Sequence, residues 1–297
     1  MGTGSWSTKD FTNYVSCSRG VDLDTYTKSA YSVQEVYKAK RLDSRLDPLN
    51  IMRECRDSEE HPNTLPVILA LDVTGSMGQA AVKTAQKLNE IMTSLYADSS
   101  LPDVEFCVMG IGDLACDSAP IQMSQFESDI RIAEQMDAIY FEGGGGGNSY
   151  ESYTAAWYMG ARHCDLDCWK RGQKGIIITL GDELPNPYLP KTLSYVTGDS
   201  LQDGVETKDL MNEVIDKFNI YHLSVNDKSS SYHYNNRNSE LDKAWGQLLG
   251  ENYSVVTLDN LAETITNIVK SNVNNSTPII TMTETSATTN DNGEVVW

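Results

Sequence analysis

The feature that most constrains this chain is the recurrence of short, unbroken apolar runs separated by stretches of helical periodicity. Pro66–Leu71 is one such run and Gly175–Leu180 another. Each is strand-length, and an unbroken rather than alternating pattern marks a strand buried on both faces. Between them, Ala81, Val82, Ala85, Leu88, Ile91, Met92 and Leu95 recur at helical spacing. Val104, Phe106 and Val108 mark a strand that ends at Gly110–Asp113, and helices are expected near Phe126–Ala138 and around Ala155, Ala156 and Met159. Val205, Leu210, Val214, Ile215 and Phe218 mark a further helix; Ile220–Val225 and Ser254–Leu258 read as strands; Leu261, Ile265, Ile268 and Val269 read as a last helix. Strands alternating with helices predict an α/β fold, a mostly parallel sheet with helices on both faces. In open sheets of this kind ligands sit beyond the carboxyl ends of the strands.

Composition narrows the function classes. The chain has 297 residues, 40% hydrophobic and 22% charged, which excludes a collagen, a coiled coil and a wholly disordered chain. Its 23 basic and 42 acidic side chains give a net charge of −19. That balance argues against nucleic acid and anionic membranes as partners. The densest basic runs are Lys38, Lys40, Arg41 and Lys170, Arg171, Lys174. No stretch approaches the ~18 apolar residues of a membrane span. Met1–Asp10 is polar and has no secretory apolar core, and Trp6 breaks the myristoylation pattern. Six Cys in a chain this long do not read as a disulfide framework, and Cys107 falls inside an apolar strand pattern. A reducing, cytoplasmic location is therefore expected, and the sequons at Asn252, Asn274 and Asn275 are chance matches.

After the first apolar strand comes Asp72-Val73-Thr74-Gly75-Ser76-Met77. Asp72, Thr74 and Ser76 put oxygen at every second position, a set that suits a hard cation such as Mg²⁺. Thr74 and Ser76 fit equally well as caps of the following helix. Asp182 follows the strand Gly175–Leu180, and in a parallel sheet it lies on the same edge as Asp72. The run Gly143–Gly147 precedes Ser149 and Glu151. Such a run fits a phosphate cradle or a flexible loop, but it has no Lys or Arg and no phosphate-loop pattern.

Taken together, these residues resemble the von Willebrand factor type A (VWA) family. Asp72-x-Thr74-x-Ser76 is similar to the first element of that family's metal-ion-dependent adhesion site. Ser149 stands where the second element has Thr, and Gly181-Asp182-Glu183 stands where the third commonly reads Asp-Gly-Glu. The likeness is greatest to the standalone bacterial and phage members. It covers about residues 62–272, leaving an N-terminal extension of unknown role at 1–61 and a flexible tail at 273–297. The resemblance implies a six-stranded, doubly wound, Rossmann-like sheet. It implies Mg²⁺, or Mn²⁺ or Ca²⁺, held by Asp72, Thr74, Ser76, Ser149 and Asp182, with Glu183 replacing Asp182 if that residue falls short. An open coordination position would be filled by an Asp or Glu of a protein partner, such as a ring ATPase or a multi-protein assembly.

Other readings compete. Asp113 and Asp117 follow a strand end and fit a rim or second ion site, although Asp is common in such loops. His163-Cys164-x-x-x-Cys168 hints at zinc but lacks a fourth ligand. An Asp after a first strand also begins haloacid dehalogenase-like phosphatases, which need a second acid where this chain has Thr74. A structural assembly component with a vestigial metal site is a third possibility. The weight of these readings favours a non-enzymatic, metal-dependent binding module. Because Asp72 and Ser76 sit at a strand end, both are expected at an exposed edge.

Overall fold

The computed structural model describes residues 4–98, 100–143, 150–225 and 234–276, together with short strands at 288–289 and 295–296. Its sheet contains β1 (Thr64–Asp72), β2 (Asp103–Ile111), β3 (Ile121–Met123), β4 (Gly175–Gly181), β5 (Phe218–Val225) and β6 (Tyr253–Val256). The spatial order is β6-β5-β4-β1-β2-β3. Every neighbouring pair is parallel except β2 and β3, which are antiparallel.

Among the described residues, the α-helices longer than five residues are α1 (Thr8–Arg19), α2 (Leu23–Lys28), α3 (Gly78–Tyr96), α4 (Arg131–Asp137), α5 (Thr154–Arg162), α6 (Thr207–Val214), α7 (Tyr234–Leu249) and α8 (Leu261–Ser276). They cover both faces of the sheet, and β1 shows why its sequence is unbroken. Val67, Leu69 and Leu71 point into one core with Leu88 and Met92 of α3 and Ile265 of α8. Ile68 and Ala70 point into the other, with Trp157 of α5, Leu210 of α6 and Trp245 of α7. Each large apolar side chain so buried contributes roughly 1.5–3 kcal/mol. Among the described residues, no helix is long and apolar enough to cross a membrane.

Residues 4–56 join this architecture. Ser7 caps α1 by accepting the Asp10 N–H, and Gly20 ends the helix at φ 73°. Phe11, Val15 and Tyr26 pack into the core of the α3 face. The Arg19 guanidinium and the Tyr14 hydroxyl, at 2.5 Å, both reach Asp137 of α4. The free edge of β3 is covered as well. Its Met123 N–H donates to Leu46 O at 2.8 Å, and Arg53 donates to Met123 O at 2.6 Å.

Several boundaries differ from the sequence reading. The weak helical pattern near Val33–Arg41 forms only a single turn, Val33–Val36, after which Tyr37 is extended and donates its hydroxyl to Ala81 O. The helix expected from Phe126 starts only at Arg131, because Glu127 bridges to Phe106 in strand fashion. The last strand ends at Val256, α7 was not foreseen, and α8 continues to Ser276. Most of the expected tail lies outside the described residues.

Candidate functional site at the carboxyl edge of the sheet

From β1 the chain runs to β2 and β3 on one side and later to β4, β5 and β6 on the other. The direction of winding reverses at β1, the place where such sheets open a crevice. Asp72 is the last residue of β1 and pairs with Ile111; Leu71 pairs with Leu180, so Asp182 emerges beside it from β4.

Asp72 is fully buried, not exposed as its strand-end position led us to expect. Its Oδ1 accepts the Thr74 N–H at 2.8 Å and the Thr74 hydroxyl at 2.5 Å. Its Oδ2 accepts the Tyr153 hydroxyl at 2.7 Å. None of these partners is cationic. Burial, and then the nearby Asp182 charge, push the Asp72 carboxyl up to about 7 against the pull of those hydrogen bonds. Ser76 is exposed, and its hydroxyl donates to Asp182 Oδ1 at 3.0 Å. The fold thus brings Asp72, Thr74, Ser76 and Asp182 to one place. Ser149 and Gly144–Gly147 lie outside the described residues. Gly143 is described, and a Cβ on Gly75 would lie 3.0 Å from its carbonyl oxygen, so the two loops abut.

Asp113 and Asp117 occupy the adjacent loop, where Asp117 Oδ2 accepts the Asp113 N–H at 2.7 Å and Asp113 Oδ1 accepts the Ala115 N–H at 2.9 Å. Glu183 contributes its backbone. Its N–H donates to Tyr153 Oη at 3.2 Å and its carbonyl accepts the Trp245 indole at 3.0 Å.

Two further residues belong to the site: Glu151, which the sequence placed after the glycine run, and Tyr153, which it did not mark. Glu151 is only 4% exposed, and its Oε2 has no hydrogen-bond partner among the described residues. Burial, and then the charges of Asp72, Asp113, Asp117 and Asp182, push it up to about 9. Tyr153 links Asp72 to the Glu183 backbone, and no motif marks it. Its ring stands edge-on to His222 and Trp245, which stack on each other with centroids 3.6 Å apart. A Cβ on Gly181 would lie 2.1 Å from Tyr153 Oη, so glycine there gives the tyrosine its seat.

The donors are hard oxygens, their charge is concentrated, and a carboxylate oxygen is buried without a partner. That chemistry fits a divalent cation. Among the described residues no three His, Cys, Asp or Glu side chains form a metal cage by themselves. Asp72 and Asp182 are a pair of carboxylates supplemented by hydroxyls, and Mg²⁺ is commonly held by one or two carboxylates plus water. The zinc reading finds no support. The His163 Nδ1–H donates to Ile51 O at 2.9 Å, and its Nε2 lies 2.7 Å from Asp199 Oδ2.

Neither a protein-family model nor a curated protein matches the sequence. Solved structures do resemble the fold. The pilus adhesin SpaC from Lactobacillus rhamnosus GG, in its open conformation, matches with a TM-score of 0.51 and 13% identity over 75% of this chain. This chain spans only 31% of SpaC. The vWF domain of the type V pili tip protein Mfa5 from Porphyromonas gingivalis matches with a TM-score of 0.41 and 11% identity over 70% of this chain and 95% of that one. The chain has a Rossmann-like α/β fold, a mostly parallel six-stranded sheet with helices on both faces. Within that sheet, Asp72, Thr74 and Ser76 sit at the end of the first strand and Asp182 at the end of the strand beside it.

Proposed function

We propose that this chain is a metal-dependent protein-binding module without catalytic activity. Mg²⁺, or Mn²⁺ or Ca²⁺ in its place, would be held by Asp72, Thr74, Ser76 and Asp182, with Ser149 supplying a further hydroxyl. The observation that carries this reading is the meeting of Asp72 and Asp182 from neighbouring strands, with Ser76 bridging to Asp182 and only neutral hydrogen-bond partners on Asp72 among the described residues.

When bound, the ion supplies a Lewis-acidic point on which a partner's Asp or Glu can close. The chain's own part is positioning. Tyr153 and Thr74 fix both oxygens of Asp72, so the carboxylate does not turn when a ligand arrives. Two carboxylates balance the dication's formal charge and the hydroxyls add none, so the ion would keep an electrophilic position that a partner's carboxylate fills despite the net charge of −19. The partner would be a protein, such as a ring ATPase or a component of a multi-protein assembly. A phosphohydrolase is disfavoured because Thr74, hydrogen-bonded to Asp72, has no carboxylate for acid–base work.

Affinity capture from the native host tests the partner claim. A partner retained in Mg²⁺, released by chelator and absent with Asp72→Asn supports the reading. Capture that persists unchanged in chelator contradicts it and favours a structural assembly component.

A further inference from the structure

An open groove of about 910 Å³ runs beside the strand-end loops, lined by residues 39–44, Asp47, Ser118, Ala119 and Tyr140. One loop connects it to the candidate site. Ser118 follows Asp117, and the Ser118 hydroxyl and Ala119 N–H donate to Glu142 Oε1 at 2.9 and 2.6 Å. Glu142 in turn leads into Gly143, which abuts Gly75.

The charges in this groove are unusual for so acidic a chain. Asp43 is engaged by Arg45, with Nε–Oδ1 at 3.0 Å and Nη2–Oδ2 at 2.8 Å. Asp47 Oδ1 accepts the Leu49 N–H at 3.0 Å. Lys40 and Arg41, by contrast, are exposed and form no ion pair among the described residues. Asp43 is thus balanced by Arg45 and Asp47 is tied to a backbone N–H, while Lys40 and Arg41 stand open on the groove wall.

We infer that this groove seats the residues flanking the partner's metal-bound carboxylate, and that Lys40 and Arg41 select an acidic flank. The inference rests on the binding-module reading but makes a separate demand. The long-range field of a chain at −19 draws basic peptides. That field is screened over ~8 Å at physiological salt. Contacts inside the groove are shorter than this, so the local cations set the preference there. The global and local charges therefore call for opposite orders of affinity.

The test uses the full chain in Mg²⁺ and fluorescence anisotropy with three short labelled peptides. Each carries a central Asp, flanked by Glu, by Gln or by Lys. The Glu-flanked peptide is expected to bind about tenfold more tightly than the Lys-flanked one. Combining Lys40→Glu with Arg41→Glu should reverse that order without changing the circular dichroism spectrum. If all three peptides bind equally and chelator releases them, the groove assignment falls and the metal reading stands. If the order persists with Asp72→Asn and in chelator, the groove stands and the metal reading falls. A preference for the Lys-flanked peptide, or no binding of any peptide, overturns the groove assignment whatever the metal does. These wild-type orders decide the matter even if the double variant fails to fold.

Discussion

Among single residues, His222 gives the protein a pH signature separate from its carboxylates. The ring is fully buried, lies 2.8 Å from Thr179 Oγ1 through Nδ1, and stacks on Trp245. Among the described residues, the other rings against it belong to Tyr153 and Tyr253, neither charged at neutral pH. Burial holds the imidazole well below its usual pKa, so the folded state keeps it neutral. The unfolded chain takes up a proton below about pH 6.5. Stability is therefore lost as pH falls through that unfolded value, by about 1 kcal/mol between roughly pH 7.5 and 5.5. His222→Phe retains the stack and removes the titration. Urea unfolding at both pH values should show wild type losing about 1 kcal/mol more than the variant. Equal losses would show that His222 does not remain neutral in the fold.

At the scale of elements, α1 is held to α4 by a buried ion pair. The Arg19 side chain is 4% exposed and Asp137 18% exposed. Removing one partner from such a pair strands the other, at a cost of about 3 kcal/mol. The pair between Lys28 and Asp24 of α2 is 74% and 72% exposed. Pairs that wet contribute at most about 1 kcal/mol. Arg19→Ala should lower the urea midpoint far more than Lys28→Ala, and similar shifts would place the anchoring of α1 elsewhere. These same elements show where the sequence was mute. The central strands were legible because burial on both faces demands unbroken apolar runs. In α1, however, only Phe11 and Val15 are buried, and in α2 only Tyr26. One or two apolar positions leave no period to read. Leu241 and Trp245 of α7 did carry an i, i+4 signal, next to a polar stretch that masked it. The strand-end Asp, Thr and Ser were visible as a motif. Tyr153 and the burial of Asp72 were not, because both arise when distant elements pack together.

For the whole molecule, residues 4–56 share one core with the sheet and cover the edge of β3. A chain starting at Pro62 would expose the α3 surface that Phe11, Val15 and Tyr26 bury, along with an unpaired strand edge. It is expected to aggregate or to unfold at markedly lower urea than the full chain, as measured by solubility and circular dichroism. An equally stable truncated chain would make the extension an independent accessory. The claim on which the rest depends is that the carboxyl edge of this sheet holds a divalent cation through Asp72. Asp72→Asn tests it most directly. Asparagine keeps the size and one acceptor oxygen, for Thr74, and turns an NH2 toward the Tyr153 hydroxyl, which can accept it, while removing the charge. Isothermal titration of Mg²⁺ into chelator-treated protein should give saturable single-site binding for wild type and none for Asp72→Asn, with both folded by circular dichroism. Equal binding by the two proteins, or none by wild type, would contradict the account.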